Sequence, residues 1–229
     1  MSTRRWWRDR LLPVLGFPGL ILLGFLVEQL LLVPRVATRP PGDSVTFWAM
    51  QAARHPDFAP VQVRLALAQR QAGNLAGARL AFERALAADP HAEDAAIGLN
   101  GALRDAGDVR GAVAQMADFL RDNPRCLVCR QNLASDYLTL GRVGDARREI
   151  DIVLTSGTPP VSPVYGPVDL HGKALLLAGR VYAAAGERSR AIELLEQGLA
   201  RQPDDRQARA ELEQLRQAGS GSGGAAALP

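Results

Sequence analysis

The chain has 229 residues, of which 47% are hydrophobic, 22% charged and 5% aromatic, with a formal net charge of +3. The basic excess is local: residues 1–39 hold six arginines and two acids, and the rest of the chain is net −1. A near-neutral body with few aromatics lacks the basic stripe and stacking platforms that nucleic-acid binding requires.

Residues 1–10 form a basic N-terminus with Arg4, Arg5, Arg8 and Arg10 against one acid, Asp9. Leu11 to Val33 follows, 23 residues in which only Glu28 and Gln29 are polar. At about 1.5 Å per residue, that run can cross a hydrocarbon layer of about 30 Å. It is predicted to be a single transmembrane helix. The arginines ahead of it outnumber Arg35 and Arg39 behind it, which places the N-terminus in the cytoplasm and everything after the span outside it. A cleaved secretory signal competes, but cleavage after Ala37 would put Arg35 where a small residue is wanted. Thr3-Arg4-Arg5-Trp6-Trp7 is a faint echo of a twin-arginine signal, and the run behind it is more apolar than such signals need. Gly16, Leu20, Gly24 and Glu28 recur at four-residue steps and share one stripe of the span, where two glycines permit close approach of another helix. Glu28 is then either a polar contact to a partner helix or, near the outer end, a group that reaches the interface of a plain anchor.

After a linker at 34–43, Ser44 to Arg54 reads as a helix capped by Asp43 and stopped at His55-Pro56, the core of a capping segment over 44–58. From Ala59 the chain repeats. Gly73, Gly107 and Gly141 stand 34 apart, Ala78, Ala112 and Ala146 follow each glycine by five, and Pro90 and Pro124 keep the same step. A fixed period of this length marks stacked helix pairs, because one pair cannot bury its own apolar face. Within units 59–92, 93–126, 127–160 and 172–205, the residues Leu65, Ala66, Gly73, Ala78, Phe82, Ala85 and Pro90 of the first are echoed by Leu99, Gly107, Ala112, Met116, Phe119 and Pro124. The third gives Leu133, Ala134, Tyr137, Gly141, Ala146 and Ile150, and the fourth Gly179, Tyr182, Gly186, Ala191, Leu195 and Pro203. This pattern resembles the tetratricopeptide repeat. It departs at position 4, where Gln62, Ala96, Arg130 and Leu175 replace the usual Trp, and at position 8 of the second unit, which is Asn100. The fold expected is therefore all-α, a helix-turn-helix solenoid of about four repeats spanning 59–217, preceded by the transmembrane helix.

The third unit opens on Cys126-Leu127-Val128-Cys129 between Arg125 and Arg130. A helix N-terminus and two guanidinium groups favour a thiolate. Three readings stay open: packing residues or a local disulfide, a thiol-exchange pair, and half of a metal site shared with a partner. The insertion around 158–167 lengthens the spacing from Gly141 to Gly186 to 45, 11 more than the period, and carries four prolines, either as a tolerated loop or as a contact arm around Tyr165. A polar helix over 204–217 closes the array, and a Gly/Ser-rich tail at 218–229 is too poor in apolar residues to pack.

Catalytic patterns are lacking. His55, His91 and His171 fall at helix ends or loops, and no HExxH or glycine-rich phosphate loop occurs. No catalysis, cofactor, resident metal or small-molecule substrate is expected. The resemblance implies instead a concave groove, lined by the first helix of each pair, that takes a peptide or a helix from a protein partner. Carried over by position, its lining is Val63, Leu67 and Arg70; Ile97, Arg104 and Asp105; Gln131, Ser135 and Leu138; Leu176 and Arg180. Val63 and Leu67 stand where the carboxylate clamp of some such repeats carries Lys and Asn, so a ligand with apolar anchors and a few acids fits better. Lys173 is the single lysine among 27 basic residues, which, with the abundance of alanine, fits a high-GC bacterial genome. The outer compartment is then a periplasm. The function expected is a membrane-anchored periplasmic scaffold in assembly of a membrane complex. The alternatives are a thiol-handling factor of c-type cytochrome maturation acting through Cys126 and Cys129, and an accessory subunit of a photosynthetic or respiratory complex.

Overall fold

The computed structural model describes residues 44–156 and 170–220. These form ten α-helices and no strand among the described residues: α1 Ser44–Arg54, α2 Ala59–Gln71, α3 Leu75–Ala88, α4 Glu93–Asp105, α5 Val109–Asp122, α6 Leu127–Thr139, α7 Val143–Thr155, α8 Leu170–Ala184, α9 Arg188–Arg201 and α10 Arg206–Ser220. The helix starts keep the period of the sequence: Ala59, Glu93 and Leu127 open the first helices, and Leu75, Val109 and Val143 the second ones.

Each pair is closed by the same turn. Gly73, Gly107, Gly141 and Gly186 have φ between 72° and 81°. At each of them the glycine N–H and the next N–H reach back to carbonyls of the last helical turn, as Gly107 does to Arg104 and Asp108 to Leu103. That arrangement needs a left-handed residue just past the helix, which glycine adopts without a Cβ clash. Asn74 and Asp108 then cap the second helices by accepting from Gly77 N and Gly111 N.

The core runs along the seam between successive pairs. Phe82, Met116, Ile150 and Leu195 occupy one position of the four units and are each 0% exposed. Glycines set how closely the helices meet. A Cβ on Gly98 would lie 2.2 Å from the Phe82 ring, and one on Gly179 would lie 2.6 Å from Leu195 Cγ. First helices touch their successors as well, α2 with α4, α4 with α6 and α6 with α8, so they line one continuous face.

The flanking elements differ in detail from the sequence reading. The C-terminal helix begins two residues late, with Asp205 accepting from Ala208 N, and runs through Ser220 into what reads as the flexible tail. Ala208 and Leu212 bury its inner face against Leu176 and Leu195. Among the described residues, no helix is long and apolar enough to cross a membrane. The predicted span 11–33 with Gly16, Leu20, Gly24 and Glu28, and the proline-rich insertion around Tyr165, lie outside the described residues.

Candidate functional site

The first-helix face carries the residues assigned to the groove. Leu67, Ile97, Gln131, Ser135 and Leu138 are half-buried, and Arg104 and Asp105 are exposed. The three leucine and isoleucine side chains rest on core clusters while keeping part of their surface outward. Two assignments are corrected. Val63, at 4% exposure, and Leu176, at 2%, belong to the core rather than the groove lining. Each sits in an end unit beside a flanking helix: Val63 shares a cluster with Val45, Trp48 and Ala52 of α1, and Leu176 one with Ala208 and Leu212 of α10.

The groove arginines are not free charges. Each pairs with an acid two helices further along the solenoid: Arg70 Nε with Asp105 Oδ2 at 2.5 Å, Arg104 Nε with Asp136 Oδ1 at 3.2 Å, and Arg180 Nε with Glu211 Oε2 at 2.8 Å. The Arg70 guanidinium reaches across Gly101, where a Cβ would come within 2.9 Å of it. Its hydrogen bond holds the Asp105 carboxyl below the usual aspartate range. The groove is thus apolar along its floor and, on its rim, neutralised from within.

Asp136 and Asn100 were not foreseen as a pair. Asp136 is fully buried and Asn100 is 1% exposed. The Asn100 amide donates to Asp136 Oδ2 at 2.6 Å and to the Ala112 carbonyl at 3.4 Å. Burial pushes the Asp136 carboxyl up, against the opposing pull of Asn100 and Arg104. The one sequence signal was Asn100 itself, a polar amide at a position that the other units fill with alanine or glycine.

Cys126 and Cys129 form a disulfide, and both residues are buried, at 2% and 0% exposure. Cys126 Sγ also caps α6 by accepting from Cys129 N. Beside it Arg130 donates to the Pro124 carbonyl and pairs with Glu149 at 2.6 Å. Burial of both cysteines restricts access of an incoming thiolate, which favours the structural reading over thiol exchange. Among the described residues, no three His, Cys, Asp or Glu side chains converge as metal ligands. His91 Nδ1 lies 2.7 Å from Asn123 Oδ1 at the junction of units. Replacing both cysteines by alanine is expected to cost about 1–3 kcal/mol, read as a lower Tm, and to leave partner binding intact. Lost partner maturation with unchanged melting would restore the thiol-exchange role.

Family comparison meets this geometry at two places. A profile described as Tetratricopeptide repeat matches residues 52–99, and a second of the same description matches 172–215. Those two stretches carry tetratricopeptide repeats. No curated protein sequence matches it. Among solved structures, pilF of Pseudomonas aeruginosa is similar with 17% identity and a TM-score of 0.60 over 73% of this chain and 71% of that one. MamA is similar with 19% identity and a TM-score of 0.56 over 71% and 82%. YrrB, described as a tetratricopeptide repeat protein with an unusual peptide-binding site, gives 19% identity and a TM-score of 0.54 over 74% and 81%. At these identities the likeness establishes the solenoid fold, and repeats of this kind mediate protein–protein interaction.

Proposed function

We propose that the chain is a membrane-anchored scaffold that holds its repeats in the periplasm. There it presents the first-helix groove to an extended or helical segment of a partner during assembly or stabilisation of a membrane complex. The observation that carries this reading is the continuous face of α2, α4, α6 and α8, on which Leu67, Ile97 and Leu138 keep apolar surface exposed while the arginines around them are already paired. Half-buried aliphatic anchors on a rigid concave support favour a ligand segment with apolar side chains at matching intervals. The Cys126–Cys129 bridge is consistent with an oxidising compartment.

The test is crosslinking in native membranes followed by co-purification, comparing the wild type with Leu67→Asp, Ile97→Asp and Leu138→Asp. Each partly exposed side chain accepts a charge at modest cost to folding, checked by helical circular dichroism, yet it places that charge on the apolar floor. Recovery of partners is expected to fall about tenfold, the effect of losing roughly 1.4 kcal/mol. Full recovery from all three folded variants would move recognition away from the groove. Recovery of one partner at fixed one-to-one stoichiometry from the wild type would favour the accessory-subunit alternative.

A further inference from the structure

A buried carboxylate roofed by one half-exposed guanidinium lies in the middle of the groove. Asp136 sits on α6 at 0% exposure, and its Oδ1 has no hydrogen-bond donor. Arg104 Nε approaches that oxygen to 3.2 Å, close but not aligned as a hydrogen bond, while the Arg104 side chain remains 41% exposed on the groove face. Below, Asn100 holds the other carboxylate oxygen. Such an arrangement is a poor way to gain stability, since an ion pair removed from water is often outperformed by apolar residues of the same volume.

Among the described residues, Arg104 is the one charged group acting on this carboxylate. On α4, Asp105 is turned to Arg70. From α5 the Ala112 carbonyl accepts from Asn100, and no α5 side chain acts on Asp136. On α7 and at its N-cap, Arg147 pairs with Glu187 and Asp151, Glu149 with Arg130, and Arg142 and Arg148 with Asp145. On α8, Arg180 pairs with Glu211, and neither His171 nor Lys173 acts on Asp136.

We propose that the Arg104–Asp136 pair is an acid-operated latch in the groove, in which protonation of Asp136 releases Arg104 to bind a carboxylate of an acidic partner segment. This rests on the groove reading and adds to it the chemistry of the partner and a means of control. While Asp136 is ionised, the guanidinium is held by its charge, which Arg104 and the Asn100 amide together compensate. When Oδ1 takes a proton from solvent, Asp136 becomes neutral, Asn100 still donates to Oδ2, and Arg104 loses its ion-pair partner on α6, keeping only the weaker pull of Asp105, which is already bound to Arg70. Burial means that this proton is taken at a higher pH than an exposed aspartate would take it. By linkage, an acidic ligand that engages Arg104 must in turn favour protonated Asp136 to the same degree.

The experiment uses the full chain in mild detergent and two fluorescein-labelled nonapeptides with amidated C-termini, one alternating leucine with glutamate and one alternating leucine with glutamine. Anisotropy titrations are run at pH 7.5 and 5.5, where the peptide glutamates remain largely ionised. The glutamate peptide is expected to bind the wild type about fivefold more tightly at pH 5.5 than at pH 7.5, with the glutamine peptide unchanged. Asp136→Asn, neutral at both values, is expected to bind the glutamate peptide tightly at both, and Arg104→Gln weakly at both. Carboxyl ¹³C titration of Asp136 in the wild type gives a readout that needs no variant, and its midpoint should coincide with that of the affinity profile. Equal affinity at the two pH values, mismatched midpoints, or a pH profile that survives in Asp136→Asn each overturns the latch while leaving the groove standing. Binding of neither peptide at either pH would remove the groove reading and the latch with it.

Discussion

Phe82→Ala is expected to lower the unfolding free energy of the repeat domain by about 3–5 kcal/mol, the range for emptying a fully buried aromatic site. Phe82 is 0% exposed on α3, and its ring occupies the space over Gly98 of α4, where even a Cβ would come within 2.2 Å of Cε1 and 2.3 Å of Cζ. The ring therefore joins the first unit to the second. Gly98→Ala should be costly in the opposite way, by about 1–3 kcal/mol, because the added methyl must displace a ring that is packed on every side. The two sites are coupled. In a Phe82→Leu background, the space over Gly98 opens and the alanine there should cost less, giving a non-additivity of about 1 kcal/mol or more. Urea unfolding followed by helical circular dichroism measures all four corners of the cycle. A loss below about 1 kcal/mol for Phe82→Ala, or strict additivity of the pair, would mean that the first two units do not share a core.

The same interface explains what was legible in the amino-acid sequence. Gly107 and Phe82 are read easily because each position permits very few residues: a left-handed turn selects glycine, and a closed seam between helices selects a large apolar side chain beside a small one. Such constraints repeat every 34 residues, so the helix starts could be placed by counting. The Asp136 site follows no such rule. An aspartate beside Ser135 near the end of a helix reads as part of a solvated face, and only the three-dimensional meeting of α4, α5 and α6 reveals that it is enclosed. Nor does position within the repeat disclose burial at the ends of the array. Val63 and Leu176 occupy the same place in their units as the half-buried Ile97, yet both are enclosed, because flanking helices cover the end units. The arginine pairs were hidden for a related reason: Arg70, Arg104 and Arg180 find their acids two helices further on, at separations of 35, 32 and 31 residues that no local pattern displays.

Alkaline phosphatase fused after Ala218 is expected to be fully active, an all-or-none result, because that enzyme needs an oxidising compartment to form its own disulfides. The expectation rests on the arginines at positions 4, 5, 8 and 10, which outnumber those just beyond the apolar run and in the proposed topology would hold the N-terminus in the cytoplasm. Cys126 and Cys129 supply an internal check that does not depend on the fusion. If the repeats face an oxidising compartment, alkylation of unreduced cells should leave both cysteines unlabelled, and labelling should appear only after denaturation with a reductant. Burial alone would also protect the thiols, so the alkylation must be done under denaturing conditions with and without reductant, which separates a bridge from two enclosed thiols. An inactive but stable fusion together with two alkylatable thiols would place the repeats in the cytoplasm and remove the periplasmic scaffold. An active fusion with free thiols would keep the topology and assign Cys126 and Cys129 to packing, since the oxidising compartment would then have had its chance to join them.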